Sequence, residues 1–93
     1  MNLSYKIVKV EWEDITGNTE PWYTIEDALE LEPAHMTTVG WLISNKDNYI
    51  TVSSTLGTKK EASDINCIPR SVIIKIEEIS INENDKGIDI PLI

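Results

Sequence analysis

The strongest constraint on the fold is a rhythm. Short runs rich in β-branched and aromatic residues return along the chain, each stopped by turn residues within a few positions. Ser4–Trp12, "SYKIVKVEW", alternates. Lys6, Val8, Val10 and Trp12 fall on one face and Tyr5, Ile7 and Lys9 on the other, the period of a half-buried strand. "DITGNTEP" follows with Gly17, Asn18 and Pro21 as turn residues. From Thr37 the pattern is again that of a strand, through "VGWLIS", with Gly40 in its interior. A glycine there weakens a strand unless the chain must bend or another backbone comes close. "NKDN", Asn45–Asn48, reads as a tight turn and "YITVSS" as the returning strand, so residues 37–54 form a hairpin.

"TLGTKKEASD" is polar and reads as a loop, "INCI" as a short strand, and Pro69 as a strand end or edge, where a missing donor costs least. "SVIIKIEEISI" is the longest apolar strand signal, and its alternation slips at Glu77–Glu78, which predicts a bulge or bend there. "NENDKG" reads as a turn and "IDIPLI" as a tail strand or a docking tail. Between the first two strands stands one helix signal. Thr24 can accept from the amide of Asp27, Glu26 and Asp27 suit the positive end of the helix dipole, and Pro33 stops the segment after about two turns. So short a helix has to be held by packing.

The 93 residues therefore read as a single domain, residues 1–93, with a strand–helix element at 4–33 and a tail at 82–93. About five short strands at turn-separated spacing argue for a small barrel or sandwich, a mainly β fold with one short helix. No run approaches the ~20 apolar residues of a membrane-crossing helix. Met1–Val10 lacks the apolar core of an export signal, so a cytoplasmic protein is expected.

Charge narrows the function classes. The formal net charge is −8, which disfavours nucleic-acid binding over a broad electrostatic surface but leaves room for a local site. Cys67 is the only cysteine, so an internal disulfide and a four-cysteine zinc site are excluded. Beside Ile68 it reads as a small buried hydrophobe rather than a nucleophile. His35 is the only histidine and reads as a loop or strand-start residue. The acids Glu11, Glu13 and Asp14, and Glu26, Asp27, Glu30 and Glu32, read as solvated surface. No phosphate-binding glycine loop and no zinc-protease motif is present. We expect no enzyme, no metal and no cofactor. Trp12, Trp22, Tyr23 and Trp41, in a chain without phenylalanine, read as core or interface aromatics.

Two segments together resemble a known signature. "VGWLISNKDNYITVSS" carries a glycine, an apolar residue two positions on, an Asp in the turn and an apolar strand. After a variable loop, "CIPRSVIIKI" places Arg-Ser before the last apolar strand. This order resembles the bipartite signature of Sm-like proteins, with Gly40, Leu42 and Asp47 in the first part and Arg70 and Ser71 in the second. "VEWED", the helix and "IPRS" are also similar to small phage-encoded members. Ser71 stands where the family prefers glycine, and the pocket asparagine of many members is absent. The family's helix usually precedes its first strand, whereas here a strand precedes the helix. Either that strand is an addition or the helix is inserted between barrel strands, as in an SH3-like barrel.

The resemblance implies an open five-stranded Sm-like or SH3-like barrel whose exposed edges pair between subunits to close a homo-oligomeric ring. It implies candidate subunit contacts at Ile65, Cys67, Ile68, Val72, Ile74 and Ile76. It implies an RNA- or ligand-binding corner at Asn45, Asp47, Asn48, Tyr49, Arg70 and Ser71. Arg70 can stack on a base or bind phosphate, and Tyr49 can hold an unstacked base. The plain alternatives are turn chemistry at Asn45–Tyr49 and an Arg70 paired with an acid such as Asp47 or Glu61. A ring that binds protein partners and no RNA is the other functional class. If phage-encoded, the protein belongs in the host-cell cytoplasm.

Overall fold

The computed structural model describes residues 5–17, 19–80 and 90–92. Five strands form one antiparallel sheet: β1 (Ile7–Asp14), β2 (Ala34–Asn45), β3 (Tyr49–Leu56), β4 (Ala62–Pro69) and β5 (Ile73–Ile79). The strand order is β4-β3-β2-β1-β5, so β4 and β5 are the edges. β1 is an integral strand, paired with β2 on one side and β5 on the other. The helical turn α1 (Ile25–Ala28) lies in the β1–β2 connection.

The two edges are joined by a single 3-10 turn, Arg70–Val72. Pro69 and Ile73 flank its three residues, a reach of at most about 14 Å. Four strand spacings in a flat sheet measure about 19 Å. The sheet therefore curls at this end.

Alternation decides which side chains the curl encloses. Val8, Val10, Ile50, Val52 and Ile68 are buried, and Trp12, Leu42, Val72 and Ile73 pack against them. The alternation expected of β1 is observed, and the face that turns inward is that of Val8 and Val10. Trp12 donates its indole N–H to Thr38 Oγ1 at 3.0 Å, which satisfies the polar tip of a half-buried ring.

Gly40 meets the need that the sequence left open. A Cβ built there would lie 2.4 Å from the Ser53 carbonyl oxygen, on the backbone of β3. Beside it Ser53 is fully buried, and its Oγ lies 2.6 Å from Ser63 O and 2.8 Å from Thr55 O. The Ser63 carbonyl that accepts from it precedes Asp64, whose backbone lies in the left-handed region at φ 52°.

Several expectations are corrected. The ladder runs regularly through Glu77 and Glu78, and the irregularity falls at Ile74: Glu11 faces Lys75 while Trp12 faces Ile73. The extra residue lets the start of β5 turn from the 3-10 segment onto β1. The helix is one turn rather than two. Thr24 caps it as expected, accepting from Asp27 N at 3.1 Å. It then tightens into i+3 bonds, Glu30 N to Asp27 O and Leu31 N to Ala28 O. It buries none of its residues, so no packing extends it. Cys67 is exposed, because Ile68 takes the inward position and alternation turns Cys67 outward. β2 begins at Ala34 and β4 at Ala62, which shortens the polar loop to the turn around Gly57–Glu61. Ile81, the turn expected at 82–87 and most of the tail 82–93 lie outside the described residues, and residues 90–92 carry no strand.

Candidate functional site

The β2–β3 turn and the 3-10 turn after β4 are far apart in sequence and adjacent in space. The β3–β4 ladder explains this, since Tyr49 faces Pro69 and Ile50 faces Ile68. The end of β4 therefore arrives beside the start of β3. Lys46 N bonds Tyr49 O at 3.0 Å and closes the hairpin over Asp47 and Asn48. Among the described non-glycine residues only Lys60 and Asp64 have positive φ, so this turn forms without left-handed backbone.

Arg70 joins the two turns. Its amide donates to Asn48 O at 2.9 Å and its Nε to Lys46 O at 2.8 Å. Its Nη2 bonds the side-chain oxygen of Asn45. The expected pairing with Asp47 or Glu61 is not what forms. Among the described residues, Arg70 takes a carbonyl and an amide oxygen as its partners instead of a carboxylate. The planar fork of the guanidinium suits this task, since its donors point in fixed directions.

All six candidate residues of this corner, Asn45, Asp47, Asn48, Tyr49, Arg70 and Ser71, are brought together and exposed. Lys46 and Arg70 against Asp47 leave the corner locally cationic in an acidic chain. It offers carbonyl and amide oxygens, a positive charge and a phenol ring within one small patch. The backbone carbonyl of Lys46, which anchors Arg70, carried no signal in the sequence.

The candidate contact residues divide. Ile68 is a core residue and Val72 packs on the core, so their side chains serve the single chain. Ile65 and Ile74, on the two edge strands, are 56% and 54% exposed. Cys67 and Ile76 are exposed as well.

The other singled-out residues have plainer settings. His35 Nε2 lies 3.7 Å from Glu11 Oε1, across the β1–β2 ladder. Trp41 stands in a cross-strand row with Ser53 and Ile7, on the sheet face opposite Val8 and Val10. No group of three or more His, Cys, Asp or Glu able to hold a metal exists among the described residues. No described helix is long and apolar enough to cross a membrane.

Compared with protein-family models, with curated proteins and with solved structures, the chain has no significant match.

Proposed function

We propose that the protein is a non-enzymatic module that assembles with copies of itself into a ring of Sm-like type, each subunit a small open barrel. The observation that carries this reading is the pair of sheet edges, β4 and β5, that no strand of the described residues covers, with Ile65 and Ile74 exposed on them. An unpaired edge is a template for another strand, and here each carries apolar side chains that water disfavours. Pairing β4 of one copy with β5 of the next is a head-to-tail contact, which closes into a ring when the rotation per subunit permits. The single 3-10 turn between the edge strands supports the barrel, because it demands curvature.

In such a ring the Asn45–Tyr49 and Arg70–Ser71 corner is the ligand site. Its chemistry suits a nucleobase held by amide oxygens, with Arg70 near a phosphate and Tyr49 beside the base. A second reading has its own support. Arg70 already donates Nε and Nη2 within the chain, and the net charge of −8 repels a phosphate backbone. On that reading the ring serves protein partners, and Arg70 holds the turns in place.

Native mass spectrometry of the protein as purified from cells tests both. A ring mass with RNA attached supports the binding site. A bare ring that gives no salt-dependent shift with oligo(U) or oligo(A) supports the second reading. A monomer at all concentrations removes the edge-pairing proposal. If oligonucleotide binding occurs and Arg70→Ala leaves it unchanged, the contact assigned to Arg70 is wrong.

A further inference from the structure

The β1–β2 connection is a feature that neither the sheet nor the candidate corner uses. Trp22, Ile25 and Leu29 are 88%, 78% and 80% exposed there. Between Thr24 and Pro33 the chain carries Glu26, Asp27, Glu30 and Glu32 and no Lys or Arg. A single helical turn is unstable alone in water, and this one buries none of its residues. Yet it is capped by Thr24, and Thr16 Oγ1 bonds Glu32 O at 2.6 Å to close its base. An exposed apolar stripe on a closed, capped and acidic arm is the form of a docking element.

The same chain carries a matching receptor. A groove of about 360 Å³ lies beside the β3–β4 turn, with walls from Tyr5, Ile43, Leu56, Lys60, Glu61 and Ala62. That volume is within the range of about 300–1,000 Å³ typical of sites that take small organic groups. Lys60 lines the groove and Lys59 precedes it in the same turn; both are exposed, and neither makes an ion pair among the described residues. Glu61 offsets one of these charges, and the turn stays net positive. No residue of the chain's own arm lines the groove.

We propose that the arm of one copy docks in this groove on a second copy, with Trp22 in the apolar part and Glu26 and Glu30 facing Lys59 and Lys60. Charge complementarity selects the occupant: the arm is wholly acidic, and the turn beside the groove carries two lysines that make no ion pair among the described residues. The contact is separate from edge pairing and adds a second tie between subunits.

Equal amounts of nitrogen-15-labelled and unlabelled full-length protein are unfolded together in denaturant, refolded as a mixture and treated with a carbodiimide, which joins touching carboxylates and amines without a spacer. The expected product is a cross-link from Glu26 or Glu30 to Lys59 or Lys60 that includes pairs of mixed isotope. Trp22→Ala, at an exposed position that leaves the sheet intact, should lower the mixed yield about tenfold, a loss of about 1.4 kcal/mol of docking. Cross-links confined to single-isotope pairs would mean that each arm reaches its own groove, and would overturn the proposal. No cross-link, or an undiminished yield from Trp22→Ala, would overturn it as well. A ring mass without the mixed cross-link sinks arm docking and leaves edge pairing standing. The mixed cross-link in a protein that never exceeds a pair does the reverse.

Discussion

Gly40 marks the tightest spot in the sheet. The methyl of an alanine there would sit 2.4 Å from the Ser53 carbonyl oxygen and 2.9 Å from its carbon, both backbone atoms that cannot rotate away. Overpacking of this kind costs about 1–3 kcal/mol, and here it must also push β2 from β3. Gly17 has nothing within 4 Å of the same construction. Chemical denaturation should therefore show Gly40→Ala losing about 1–3 kcal/mol, with Gly17→Ala close to neutral. Equal losses would mean that the close approach is not what fixes Gly40. Residues of this kind divide by how local their cause is. That Val8 and Val10 share a face was legible because the β1 alternation is unbroken, and Gly40 because an interior glycine demands a reason. Cys67 was misread because its neighbour Ile68 competes for the same core. Only the register between β3 and β4 decides which of the two turns inward.

The elements follow the same division. The five strands were legible from β-branched runs and turn residues, while the helix was overextended. Its capping and its acids are local signals, but the length of a helix depends on packing, and α1 buries none of its residues. The bulge was misplaced because apolar spacing cannot distinguish a slipped register at Glu77–Glu78 from one at Ile74, where the 3-10 turn feeds into β5. At the candidate corner the side chains were legible and their junction was not, since Arg70 is anchored mainly on the Lys46 carbonyl and Asn45. Arg70→Lys keeps the charge and loses the fork. Amide exchange at Lys46, whose N–H closes the β2–β3 turn, should then quicken several-fold while exchange within β1 stays unchanged. An unchanged rate at Lys46 would show that the hairpin holds itself. The edges carry a second expectation. Ile65→Lys and Ile74→Lys each place a charge on an exposed edge position, the device by which sheets prevent edge pairing. Both should keep their circular dichroism and reduce the assembled mass, and assembly that survives both changes would move the subunit contact away from β4 and β5.

For the whole molecule, charge and salt separate the interactions proposed. Each subunit brings a net charge of −8 to any assembly. Like-charged copies repel, and that repulsion weakens as the screening length shortens from about 10 Å at 0.1 M salt to about 3 Å at 1 M. Edge pairing through backbone hydrogen bonds and isoleucine side chains has no large charge term of its own. Its assembled fraction, measured by sedimentation, should therefore rise with salt. The arm in its groove joins acids to lysines, so the mixed-isotope cross-link should fall over the same range. Oligonucleotide binding, if it occurs, should fall too, because counterion release drives it. A rising sedimentation coefficient with a falling cross-link is the pattern expected of a ring held mainly by its sheet edges, with the arms as a secondary tie. If the assembled fraction instead collapsed as salt increased, ion pairs would be its principal support. The exposed isoleucines of β4 and β5 would then need another explanation.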